Sequence, residues 1–197
     1  MQPRKPRLPF ANAWFFPAAA LHAALLLPIS VLGLLDLIPA LPGLATPAGH
    51  AREMLFGFAL AVIAGYLLGP LPRRWLLGLA ALWLAARGGG LACPQALPVL
   101  LADGLFAALL AWRLVPRFLA AKKWRNRLLS PLLGLLCLLA IVSLVGRLVQ
   151  HGMLSPALMR HAVLWLVLLM TFMGGRVLAP AINGHLMASR RQAGAGV

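Results

Sequence analysis

Six long apolar segments, separated by proline, glycine or basic clusters, constrain the fold of this chain more than any other feature. An α-helix needs ~20 mainly apolar residues to cross the ~30 Å hydrocarbon core of a bilayer, and the segments approach or exceed that length. The composition agrees, because 62% hydrophobic and 11% charged residues leave too little polar surface to cover a soluble globule. The segments are 15–38, 53–71, 75–91, 97–115, 128–146 and 157–179.

These segments predict an all-α fold, a single transmembrane domain over residues 1–197 built as a polytopic bundle of about six helices. The sequence lacks the long polar and apolar alternation of barrel strands, so helices are the spanning structure that remains. The third segment is the weakest, since Arg87 and the glycine run 88–90 interrupt it. We expect a short or irregular helix there.

The basic residues alternate from loop to loop and predict the orientation. Apart from a few arginines, they lie before the first segment, between the second and third, between the fourth and fifth, and after the sixth. Under the positive-inside rule both termini are cytoplasmic, as in a multi-pass membrane protein. The net charge of +15 therefore fits anionic lipid as the partner, and nucleic acid is not expected. The residues are Arg4, Lys5, Arg7, Arg73, Arg74, Arg113, Arg117, Lys122, Lys123, Arg125, Arg127, Arg190 and Arg191.

This topology gathers the ionisable groups at one depth, toward the outside. The acids Asp36, Glu53 and Asp103 lie there together with His50 and His161, whereas a further histidine falls near the midplane. Carboxylates and imidazoles at one level of a bundle are typical of a metal or haem site, a proton relay or a substrate pocket. The midplane histidine is His22, about 15 Å from His50 along the bilayer normal.

Each of these groups also has a structural explanation. Arg52 can extend to the headgroup layer, Glu53 can cap the second helix, and His161 can be an interfacial imidazole. Asp103, inside an apolar helix, needs a partner, for which Arg52 and Arg87 are nearest in depth.

Two motifs and a short entrance sequence of this chain resemble those of a known protein family. The first motif is HAREMLFGFALAVIAGYLLGPLP at residues 50–72, and the second is MTFMGGRVLAPAIN at residues 170–183, which contains Arg176. The sequence WFFPAAA at residues 14–20 is similar to the family's Pro-Phe-Phe entrance. The three sequences resemble the NnrS family of bacterial membrane proteins. The resemblance implies a polytopic protein of the bacterial inner membrane that binds haem and copper and protects cells from nitric-oxide stress.

The chain departs from the family pattern at a residue that would bind metal. Members commonly read His-Ala-His-Glu-Met, and here Arg52 replaces the second histidine. The Trp-Thr-Gly turn that usually ends this helix is absent, and the chain resembles one half of a full-length member, so a homodimer would rebuild the larger bundle. Under this resemblance His50 and His161 are the expected metal ligands, with Glu53 supporting them and His22 in reserve. Arg52, Asp103 and Arg176 complete a polar cluster.

Three functions remain open. The first is haem or copper binding in the nitric-oxide response, the second a small transporter or channel lined by Arg52, Glu53 and Asp103, and the third a non-catalytic assembly or scaffold protein. The motifs of common soluble enzymes do not occur, so no catalytic residue is predicted.

Overall fold

The computed structural model describes residues 8–149 and 157–175, and that part of the chain is helical throughout, apart from its connecting loops and one isolated bridge. The second long helix along the chain consists of α2, a π-helical turn and α3 without a break, and we call it the second rod. The predicted polytopic helix bundle is confirmed. The elements are α1 (Asn12–Leu34), α2 (Pro47–Arg52), the π-helical turn (Glu53–Ala59), α3 (Leu60–Leu67), α4 (Arg73–Ala92), α5 (Leu97–Leu119), α6 (Trp124–Arg127), α7 (Leu129–Val149) and α8 (Ala157–Gly175).

Five helical stretches of the described residues are long and apolar enough to cross a membrane. The second rod, whose parts have six, seven and eight residues, spans about 30 Å at ~1.5 Å per residue and supplies the sixth crossing that the sequence predicts. The chain is therefore a multi-pass membrane protein. The five stretches are Asn12–Leu34, Arg73–Ala92, Leu97–Leu119, Trp124–Val149 and Ala157–Gly175.

The second rod begins at Pro47, well before the predicted start at Glu53. Thr46 is its N-cap, and the Thr46 hydroxyl accepts a hydrogen bond from the backbone N–H of Gly49 at 3.0 Å. Pro47 occupies the first helical turn, where its missing N–H costs nothing. Glu53 consequently does not cap the helix, as one interpretation of the sequence had it, and lies inside the rod.

Two other boundaries also differ from the predictions. α1 ends at Leu34 rather than residue 38, because Asp36 adopts a positive φ of 59° that a right-handed helix does not use. α4 runs regularly through the glycine run 88–90 to Ala92, so the expected short or irregular third helix is wrong. The α1–α2 loop approaches this end of α4 closely, since a Cβ atom on Gly43 would collide with the carbonyl of Gly90.

The helices pack around a core of large apolar side chains. α1 lies against the π-helical turn and α3, while α5 lies between α4 and α7 and also contacts α3. α8 joins the same core through Met159, Ala162 and Leu169. Many large apolar side chains on the outside of the bundle are exposed, as a surface that faces lipid requires, among them Leu84, Leu105 and Leu164.

Candidate functional site

A cluster of six ionisable side chains lies inside one end of the bundle. We call it the ionic cluster. It joins α1, the second rod, α4, α5 and α7, and it lies at the end where the α1–α2 loop meets the end of α4, with Gly43 N–H donating to the Leu91 carbonyl at 3.1 Å. Its members are His22, Arg52, Glu53, Arg87, Asp103 and Arg147.

Glu53 is the centre of the ionic cluster and is fully buried. Arg52 donates from Nη2 to Oε1 at 2.6 Å, and Arg87 donates from Nη1 to Oε2 at 3.0 Å. Arg52 is itself 2% exposed, so it does not extend to the headgroup layer as one sequence interpretation had it. Each carboxylate oxygen of Glu53 thus has its own guanidinium partner, as a buried charge requires.

Asp103 continues the network on α5. Arg87 donates from Nη2 to Oδ1 of Asp103, which bears out the expected pairing by depth, and Arg147 donates from Nη2 to Oδ2 at 3.1 Å. Arg147 also reaches the carbonyl of Pro94 at 3.4 Å. Sequence reasoning missed Arg147 because it ended the fifth helix at residue 146; α7 in fact continues to Val149 and carries Arg147 into the bundle.

His22 belongs to the ionic cluster, although the sequence placed it apart from the acids near the midplane. Its Nε2 lies 3.3 Å from the backbone carbonyl oxygen of Glu53 and 3.7 Å from the carboxylate. The edge of its ring meets Trp83, with the ring centroids 5.4 Å apart. The expectation that His22 lies at a different depth from Glu53 is therefore wrong, because the second rod starts at Pro47 and places Glu53 well inside the helix.

The π-helical turn shapes this site. Such wide turns are frequent at functional sites, and here backbone carbonyls of the turn accept side-chain bonds: that of Glu53 faces His22, and that of Gly57 accepts from Trp83 Nε1 at 2.9 Å. A Cβ atom on Gly57 would lie 2.8 Å from His22 Nε2 and 3.0 Å from Arg87 Nη1. Glycine at residue 57 therefore lets α1 and α4 approach the turn closely.

The two predicted metal-binding histidines lie outside the ionic cluster. His50, half-buried on α2, places Nδ1 2.7 Å from the Ser30 hydroxyl on α1. His161 is exposed on α8, with Nδ1 2.6 Å from the carbonyl oxygen of Ala157 in its own helix. Arg176, the remaining residue of the predicted polar cluster, lies outside the described residues.

The donor groups of the ionic cluster suit anions and ion pairs rather than a metal cation. Glu53 is occupied by two arginines and His22 by a carbonyl, and the surrounding guanidinium groups would repel a cation. Across residues 8–149 and 157–175, no group of three or more His, Cys, Asp or Glu side chains converges as metal ligands would. What the cluster does is tie the second rod to α4, α5 and α7 through charge-assisted hydrogen bonds.

Comparison with known proteins addresses the family. No curated protein and no solved structure matches the chain significantly. A family model described as NnrS protein matches residues 8–195, which is nearly the whole chain and includes both motifs and every residue of the ionic cluster. The chain belongs to the NnrS family.

Proposed function

We propose that this chain binds haem or copper in the bacterial inner membrane and acts in the response to nitric-oxide stress, with His50 and His161 as the protein ligands. Membership of the NnrS family supports the function. The observation that carries the ligand assignment is that Nδ1 of each imidazole already has an oxygen partner, Ser30 for His50 and the Ala157 carbonyl for His161.

Histidines that bind metal usually donate one ring N–H to such a partner, which fixes the ring and leaves the other nitrogen for the metal. When Nδ1–H donates to Ser30 or to the Ala157 carbonyl, Nε2 keeps its lone pair. His50 and His161 therefore fit a metal or haem iron. Haem or copper would supply a redox-active centre that can bind a small diatomic ligand.

The remaining predicted ligands fit less well. Glu53 and His22 are held within the ionic cluster, so Glu53 is not a ligand in this proposal and His22 leaves the reserve position. Arg52 occupies the place of a family histidine and is committed to Glu53. The proposal thus rests on His50 and His161 alone.

The test is cofactor content of the detergent-purified protein, by its optical spectrum for haem and by elemental analysis for copper. We expect the wild type to carry one of the two, and His50→Ala and His161→Ala to lose it while remaining in the membrane. Arg160→Ala, which changes the neighbouring exposed residue on α8, is the matched control and should retain the cofactor. A wild type without haem and copper, or unchanged content in both histidine variants, would overturn the proposal.

The proposed orientation, with both termini in the cytoplasm, has a separate test. Alkaline phosphatase is active only outside the cytoplasm, so a fusion after Gly152 should be active and one after Arg191 silent. The reverse pattern would invert the topology.

Cross-linking in native membranes tests the homodimer, for which we expect a band at twice the monomer mass.

A further inference from the structure

The ionic cluster contains more positive than negative charge. Three arginines, Arg52, Arg87 and Arg147, meet only two carboxylates, Glu53 and Asp103. The whole chain has three acidic side chains, and the third, Asp36, is exposed in the loop after α1. No further Asp or Glu is therefore available anywhere in the chain to neutralise the third arginine, and protonation of His22 would only increase the excess.

The excess charge belongs to the two outer arginines of the network. Arg87 lies between the acids and donates to both, whereas Arg52 pairs only with Glu53 and Arg147 only with Asp103. Arg52 and Arg147 also repel each other electrostatically. Both are almost completely buried, at 2% and 4% exposure, and an uncompensated charge at such a place is strongly disfavoured.

Hydrogen-bond donors in the cluster are likewise in excess. The Nε–H groups of Arg52, Arg87 and Arg147 are buried and have no acceptor within the described residues. Buried donors without an acceptor are rare in proteins, and a missing ion is one of the standard explanations. The excess charge thus indicates a missing negative partner, and the unpaired donors could supply the hydrogen bonds to it.

We propose that the ionic cluster binds one small monovalent inorganic anion, of the size of chloride or nitrate, between Arg52 and Arg147. The single excess charge sets the valence, and the burial of both arginines sets the size. Asp103 is the more open side of the cluster, since its side chain is 13% exposed whereas that of Glu53 is fully buried, so the anion enters beside Asp103 and Arg147. This site uses neither His50 nor His161 and is independent of the proposed cofactor.

The first experiment is thermal denaturation of the detergent-purified wild type at constant ionic strength, with gluconate replaced stepwise by chloride, nitrate, sulfate or phosphate. Binding to the folded state alone should raise Tm saturably, by about 5–10 °C at ~100 times the Kd. We expect this rise with chloride and nitrate. No anion-specific rise, or a rise with phosphate or sulfate alone, would overturn the proposal, the latter by indicating a larger site such as one for a lipid phosphate.

Three variants locate the site. Arg147→Gln removes the excess charge, so its Tm should no longer depend on chloride. The difference in Tm between this variant and the wild type should therefore be smaller in gluconate than in chloride. Arg147→Lys keeps the charge and should keep the response. Arg113→Gln is the matched control, because Arg113 also has a buried Nε with no acceptor among the described residues but lies at the other end of α5. A dependence of Tm on chloride that survives in Arg147→Gln, or disappears in Arg113→Gln, would contradict the assignment. Retention of radiolabelled chloride on gel filtration checks chloride binding by both variants directly.

Discussion

The two ends of the bundle satisfy their arginines in different ways. At one end the ionic cluster buries three arginines against carboxylates. At the other end, which we call the tryptophan end, Arg113 lies over the rings of Trp75 and Trp112, 4.5 Å and 5.8 Å from their centroids. Arg117 there donates to the carbonyls of Leu67 and Leu68 at 3.0 and 3.2 Å.

This difference follows from the distribution of acids and burial. All three acidic side chains of the chain lie at the end of the ionic cluster, so among the described residues Arg113 and Arg117 of the tryptophan end bind π faces and backbone carbonyls instead. Trp112 is 60% exposed, and contacts at such a surface are individually weak. We therefore expect the ionic cluster to tolerate substitution poorly and the tryptophan end to tolerate it well.

The largest effect should come from Glu53→Gln. This change leaves Arg52 and Arg87 buried with only a neutral partner at this position, and breaking a buried ion pair on one side costs about 3–5 kcal/mol. Thermal denaturation in detergent, at fixed chloride, should show a large drop in Tm or loss of folded protein. A Tm within a few degrees of the wild type would remove the contrast between the two ends.

A smaller effect is expected from Gly57→Ala in the π-helical turn. The new methyl group would press on His22 Nε2 and Arg87 Nη1, and overpacking of this kind costs about 1–3 kcal/mol. The matched control is Gly78→Ala on α4, where a Cβ atom meets no neighbour within 4 Å. If the two variants had the same Tm, close packing at the π-helical turn would not contribute to the low tolerance of this end to substitution.

Thr46→Ala tests whether the N-cap of the second rod contributes to stability on a scale similar to that of Gly57. It removes the hydroxyl that accepts from Gly49 N–H, and loss of such a cap costs about 1 kcal/mol. Thr46→Ser keeps the acceptor and should behave as the wild type. Equal Tm values for the alanine and serine variants would mean that the cap has no energetic role.

The smallest effect is expected from Arg113→Gln at the tryptophan end. It removes the cation–π contacts with Trp75 and Trp112, which at exposed sites are worth about 0.5–1 kcal/mol. The fall in Tm should be several-fold less than that of Glu53→Gln. A fall of equal size would show that aromatic and carboxylate partners hold arginine equally well in this bundle.

The sequence predicts the spans better than the contacts between them. The predicted start of the fourth segment at Leu97 coincides with the start of α5. The preceding region, which contains a cysteine and a proline, interrupts the apolar pattern and so marks this boundary. The predicted start of the second rod is wrong by almost two turns. Gly49, His50 and Arg52 have the polarity of a loop, and only the Thr46-Pro47 pair marks the helix start.

The ionic cluster is partly predictable from depth. Depth alone leaves Arg52 and Arg87 as candidate partners of Asp103, because a carboxylate inside an apolar helix must find a cation at its own level. The structure pairs Asp103 with Arg87. The pairing with Arg147 needs a longer fifth helix than the hydropathy pattern gives, and the contact of His22 with Glu53 needs the packing of α1 on the π-helical turn. Helix-to-helix packing does not follow from periodicity along one chain.

The order of the ion pairs along the chain also has a consequence for biosynthesis. Arg52 and Glu53 are adjacent, and Arg87 and Asp103 lie on the successive helices α4 and α5, so each acid leaves the ribosome close in time to a basic partner. In the second rod and in the α4–α5 hairpin, each buried acid can thus enter the bilayer already paired with an arginine, which lowers the cost of inserting these ionised groups. Arg147 follows on α7 after every acid has been synthesised, so α7 is the helix whose insertion depends most on a bundle that has already assembled.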